Sequence, residues 1–250
     1  MFEPAPEPHD VPLSLPPRIL PVQRLAALFE VTLCSGFPSQ LFVIGVLSAL
    51  GMRFRTPTGD LSPAFVFTLS LVDTVIVISL VLFFLRAHRE SPWQVLVGPH
   101  RPWREAALGL ILMPAIFMLI MVVMFAIRTF APSLHNIPQN PLEDMLKNRQ
   151  DAIIFAFVVM VAGGVREELQ RGFILHRFDQ YLGGGLVGLL VFSVMFGLGH
   201  LEQGHDAMIA TGLLGAVWGS LYLLRRSVVA PMVSHATFNL AQLVNYMALR

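Results

Sequence analysis

Charge is what this sequence has least of. Only 13% of its 250 residues are Asp, Glu, Lys or Arg, while 55% are hydrophobic; a soluble domain carries about 25% charged residues. So little polar surface excludes an ordinary water-soluble globule. Cysteine is nearly absent as well. With Cys34 alone no internal disulfide can form, and its place in an apolar run reads as a small packed side chain. The formal net charge of +1 carries no nucleic-acid footprint, since the arginines sit in short clusters at the ends of apolar runs. No period-two alternation announces strands, and no internal repeat stands out. The first 22 residues, rich in proline with several acids, lack a cleavable signal pattern and read as an exposed, largely extended tail.

What is present is a series of apolar runs near membrane-spanning length, each bounded by Arg, Pro or Gly. They predict an all-α, polytopic transmembrane bundle of about seven to eight helices, one integral membrane domain over 23–250. The runs lie at about 25–52, broken at Gly36-Phe37-Pro38, then 63–85, 106–130, 152–164, 186–200, 208–224 and 228–249. Pro114 predicts a kink in the third of them. The stretch 86–104, with Arg86, Arg89, Arg101 and Arg104 between Trp93 and Trp103, is the best cytoplasmic loop by the positive-inside rule. The polar connection 132–150 then lies on the opposite side. The expected setting is the cytoplasmic (inner) membrane of a bacterium. The bilayer is one partner, and nucleic acid is not.

One segment breaks the apolar pattern. Val165-Arg-Glu-Glu-Leu-Gln-Arg-Gly-Phe-Ile-Leu-His-Arg-Phe178 follows directly on the uncharged run 153–164. Charges beside a membrane-type helix are costly unless they pair, reach water or do chemistry. Glu167 and Arg171 are four apart and Glu168 and Arg171 three apart, so either pair can meet on one helical face. Measured from the Gly183-Gly184-Gly185 turn, Glu167 lies about 16 residues before and His200 about 16 after, each about 24 Å from the tip at 1.5 Å per residue. His235 and Asn239 lie about 10 and 14 residues beyond the Arg225-Arg226 turn, or roughly 15 to 20 Å. If both turns share one face of the membrane, three helices bring these groups to similar depth, within what tilt absorbs. A carboxylate, two imidazoles and an amide converging there suit water activation. The Glu and one His accept protons; the other His and the Asn donate to a developing oxyanion.

The motifs Glu167-Glu168-Leu-Gln-Arg171-Gly172, Phe196-Gly-Leu-Gly-His200 and His235-Ala-Thr-Phe-Asn239, in this order on successive helices, resemble the CPBP family. These are the CAAX-prenyl-protease and bacteriocin-processing (Abi) intramembrane proteases, of Rce1 type. The resemblance covers about 150–245. It implies an intramembrane endopeptidase acting on a peptide or protein reached from the membrane, lipid-modified substrates included. Carried over, Glu167 and His200 activate water, His235 and Asn239 hold the oxyanion, and Arg171 supports. The family's acid pair is usually three residues from its Arg, but here only two intervene. Anchored on Arg171, Glu167 takes the second acid's place and Arg166 stands where the first should be. Anchored on the acids, Glu167 takes the first. Glu167 is therefore the leading base, with Glu168 second. Glu167, His200 and His235 are also the candidate ligands for a divalent metal such as Zn²⁺, though without a zincin's spacing.

Each feature has a plainer reading. Glu167, Glu168 and Arg171 alone would be a solvated ion-pair face, His200 a helix C-terminal cap, and His235 with Asn239 interhelical glue. Glu202 and His205 read as loop residues, Glu30 as interfacial, Trp218 as packing. Asp73 either lines a cavity or pairs with another span. The alternative to a protease is a catalytically silent scaffold or partner-binding protein. A transporter would also use intramembrane charge, but the paired broken half-helices of such sites are not seen.

Overall fold

The computed structural model describes residues 19–138 and 140–248. The tail expected over 1–22 therefore lies, as far as residue 18, outside the described residues. The chain is an all-α bundle, as the apolar runs predict, and among the described residues no strand forms. The broken first run becomes α1 (Pro21–Cys34) and α2 (Phe37–Ala49), bent by 42°. Gly36 sits at the break with φ 84°, a left-handed conformation glycine adopts without penalty, and Pro38 lies in the first turn of the next helix. α3 (Pro63–Ala87) starts on a Ser62 cap that accepts from the Phe65 amide. α4 (Pro102–Phe130) carries Pro114 inside it.

After the four-residue helix α5 (Pro141–Asp144), α6 (Arg149–Val158) runs into a π-helical segment, Val159–Arg166, and then α7 (Glu167–Tyr181). α8 (Gly185–Leu198), α9 (His205–Arg225) and α10 (Val229–Ala248) complete the bundle. The α3 and α9 helices and the stretch Trp93–Phe130 are long and apolar enough to cross a membrane, and the bent α1–α2 pair makes a fourth span if taken as one. α8 is apolar but shorter. The exposed apolar side chains, among them Leu41, Ile111, Phe125 and Leu190, give the bundle a hydrocarbon-compatible surface.

The ends of the bundle are tied by polar contacts. At one end Arg226 bonds Asp179 at 2.8 Å, Arg225 bonds the buried Glu105 at 2.6 Å and the Val228 amide donates to Leu96 O. The α7–α8 and α9–α10 turns thus lie together, which is the condition for the depth match. At the other end Lys147 meets Asp60, Tyr246 donates to the Glu143 carbonyl and His135 bonds Asp206 at 2.7 Å. Trp93 and Trp103 are exposed beside the basic stretch.

Glu30, expected at the interface, finds its partners inside the bundle. It is buried, accepting from Arg177 Nε at 2.6 Å and contacting His88 Nε2 at 2.6 Å. Arg177, itself fully buried, reaches Glu90 at 2.6 Å, and Glu90 also takes His176 and Gln180. The network ties α1 and the α3–α4 connection to α7. Its partners are 58 to 147 residues apart in sequence, which is why local reading missed it.

Glu90 lies between α3 and α4. Burial raises its pKa, but hydrogen bonds from His176, Gln180 and Arg177 outweigh it and hold the group down to about 2, from 4.5. A depressed folded-state pKa gives stability that is fully present above the unfolded value and lost as pH falls through the folded one. The melting temperature in detergent should therefore drop between about pH 4.5 and 2, and less in Glu90→Gln. An equal acid slope in that variant would remove Glu90 from the account.

Candidate active site

The π-helical segment delivers Glu167 and Glu168 to two different surroundings. π-turns add a residue per turn and are frequent at functional sites. Here they end at Arg166, and the two acids open α7. Glu168 points into the protein interior, 1% exposed. Its carboxylate accepts a hydrogen bond from Arg171 and contacts His235 Nδ1 at 2.8 Å. Glu167 turns the other way, into a cavity of about 720 Å³ whose wall also includes His200, His235 and Asn239. Neither Glu168 nor Arg171 lines it. The cavity reaches His135, Asn140, Gln203 and Asp206 at the end of the bundle opposite the 86–104 stretch, between apolar walls that include Ile120, Phe155 and Leu214.

His235 is held on three sides. Glu168 takes its Nδ1. The Trp218 ring stacks on it, with centroids 3.9 Å apart and 18° between planes. Phe196 meets it edge-on at 6.5 Å. Trp218 is fixed in turn by its Nε1–H donating to Ser234 Oγ at 3.2 Å. Arg171, fully buried, lies over the faces of Phe196, Phe192 and Trp218, 4.8 to 5.7 Å from the ring centroids, where cation–π attraction offsets lost water. The free nitrogen of His235, Nε2, faces Glu167 Oε2 at 3.9 Å.

The hydrogen-bond partners fix which nitrogens carry protons. His200 Nδ1 lies 2.8 Å from the Phe196 carbonyl. A carbonyl only accepts, so Nδ1 is the donor and Nε2 of the neutral ring is a base. His235 Nδ1 likewise donates to the Glu168 carboxylate. Its Nε2 is then a donor only when the ring carries both protons, with Glu168 as counter-charge. Asn239 Nδ2 reaches the Val159 carbonyl at 3.4 Å, a long bond.

Close approach makes room for this arrangement. A Cβ on Gly163 would sit 2.6 Å from Asn239 Nδ2, and one on Gly164 would sit 2.6 Å from Ala236 Cβ, so α10 packs against bare backbone there.

Of the residues singled out from sequence, Glu167, His200, His235 and Asn239 meet in one cavity, and Glu168 with Arg171 stands behind His235. Glu202 and His205 are exposed. Among the described residues no three His, Cys, Asp or Glu side chains gather as a metal site. Glu167, His200 and His235, the candidate ligands for Zn²⁺, share a cavity without forming a ligand set, and His235 Nδ1 is already taken. Sequence reading missed Trp218 as the stacking partner of His235, Gly163 as the clearance for Asn239, and Asp206, buried against His135.

Residues 149–241 match the family model of the type II CAAX prenyl endopeptidases, Rce1-like. The match starts at α6 and ends inside α10, so it contains the segments that carry Glu167, His200, His235 and Asn239; α1 to α5 lie outside it. Over that stretch, less than half of the chain, the protein is similar to the CAAX-type endopeptidases of Rce1 type. No curated protein and no solved structure matches the chain.

Two variants separate the acids. Glu168→Ala leaves the buried Arg171 uncompensated and should cost about 3–5 kcal/mol, whereas Glu167→Ala should cost under about 1 kcal/mol; denaturation in mixed micelles compares them, and equal losses would refute the division. Gly163→Ala should keep the melting temperature near wild type, because only the end of the Asn239 side chain must move. Any activity of the cavity should fall about 100-fold, the scale of a 1 Å misplacement.

Proposed function

We propose that this protein is an intramembrane endopeptidase that hydrolyses a peptide bond by direct attack of an activated water. The observation that carries the reading is the convergence of Glu167, His200, His235 and Asn239 on one cavity, with Glu168 hydrogen-bonded to the far side of His235. Water between Glu167 and His200 gives up one proton to the carboxylate as its oxygen attacks the carbonyl carbon, while its other O–H stays hydrogen-bonded to His200 Nε2 and keeps its proton. Negative charge moves to the carbonyl oxygen. Asn239 Nδ2–H and the protonated His235 Nε2–H donate to it, and Glu168 balances the imidazolium charge. The intermediate collapses, the C–N bond breaks, and the proton held by Glu167 passes to the leaving amine. The proton accounting closes on these side chains alone. The apolar walls exclude bulk water and accept an extended peptide that enters from the membrane, lipid-modified substrates included.

The test is cleavage of a library of membrane-tethered peptides by protein in liposomes. Glu167→Ala and His235→Ala should each lower turnover by about 10²–10⁴-fold, Asn239→Ala by about 10²–10³-fold, and a chelator should leave the rate unchanged. Full activity in Glu167→Ala would discard the assigned base. Loss on chelation with recovery on Zn²⁺ would replace direct water attack with metal catalysis. A well-folded wild type that cleaves nothing in the library would favour a silent scaffold, the reading that fits the displaced Glu–Arg spacing.

A further inference from the structure

The proposed hydrolysis leaves unused a buried polar cluster directly behind Glu167. Asp73, midway along α3, is 1% exposed. It accepts Arg166 Nη2–H at 2.6 Å, a hydrogen bond from the Ser39 hydroxyl and a long one from Gln40 Nε2 at 3.5 Å. Arg166 ends the π-helical segment and is itself buried. Its Nη1 donates to Gln170 Oε1 at 3.0 Å and stands 4.0 Å from Glu167 Oε1. Among the described residues its Nε has no partner. The break between α1 and α2 lies against the cluster, since a Cβ on Gly36 would be 3.5 Å from Gln170 Nε2 and 3.8 Å from Arg166 Nη1. A buried ion pair is a poor source of stability, because desolvation offsets much of the attraction.

Geometry shows what the pair can do instead. At 4.0 Å the guanidinium is too far from Glu167 for a hydrogen bond and near enough for strong attraction. The other oxygen of Glu167 stands 3.9 Å from His235 Nε2. The carboxylate is therefore flanked by two groups, and neither distance is that of a hydrogen bond. Asp73 and Gln170 together fix the guanidinium plane. Released from Asp73, that fork could turn and take Glu167 bidentately, the geometry Arg–carboxylate pairs favour, and withdraw it from water. We propose that Asp73 and Arg166 are positioning residues: Asp73 retains Arg166 so that its charge steadies Glu167 from the side without occupying it. The role rests on Glu167 acting as the base.

The experiment measures kcat and KM in liposomes for wild type, Asp73→Asn, Arg166→Lys and the double variant Asp73→Asn/Arg166→Gln, with melting temperatures alongside. Asp73→Asn is nearly isosteric and should lower kcat about tenfold or more while KM stays within about twofold, because transition-state geometry is lost and binding is not. Arg166→Lys keeps the charge and should retain most of kcat. The double variant leaves no uncompensated buried charge, so it should melt near wild type and still lose kcat as Asp73→Asn does. Wild-type kcat in the double variant, or an effect confined to KM, would overturn the positioning role while leaving the protease reading intact. A wild type that cleaves no peptide would overturn that reading and this role with it.

Discussion

A single buried carboxylate, that of Glu168, holds the interior of this bundle in place. It is shared between Arg171 on its own helix and His235 on α10, and in a water-poor interior neither partner can be released cheaply. Arg171 then organises Phe192, Phe196 and Trp218 around its guanidinium, and Trp218 returns to stack on His235. The result is a closed loop of constraints through α7, α8, α9 and α10. It leaves one imidazole nitrogen, His235 Nε2, with a fixed direction.

Around that loop the chain spends its few charges in the interior. Arg177 gathers Glu30 and Glu90 at one end, Glu105 takes Arg225, and Asp73 takes Arg166 near the cavity. Each pair joins elements distant in sequence. A bundle whose surface must be hydrocarbon has little polar exterior on which to place such groups, and hydrophobic attraction between helices is weak in lipid, so polar contacts carry more of the specificity. The π-helical segment adds a second device. Its wider turns change the phase of the helix just before the acids. Glu168 then faces Arg171 and His235 while Glu167, one residue earlier, faces the cavity.

Much of the architecture was legible because hydrocarbon imposes a coarse rule that composition obeys. Apolar runs between Arg, Pro and Gly are helices, Gly36-Phe37-Pro38 is a break, and the three short motifs, on α7, at the end of α8 and on α10, reach one cavity. The family match over 149–241 falls on the same stretch as the resemblance. The reading ran out where contacts are made between helices. A sequence window around Glu30 says nothing of Arg177 and His88, which enclose it. Trp218 looks like packing, and only the approach of α9 to α10 makes it the support of His235.

The sequence by itself determined that this is an all-α membrane protein with a Glu–Glu, His and His–Asn set in separate segments, because spacing along a helix and hydropathy are local properties. It could not decide between Glu167 and Glu168, nor between a metal set and a hydrogen-bonded one. Those depend on which way adjacent residues turn, and adjacent residues on a helix point about 100° apart. Only the packing of α10 against the π-helical segment at the head of α7 put one acid into the cavity and the other behind the histidine.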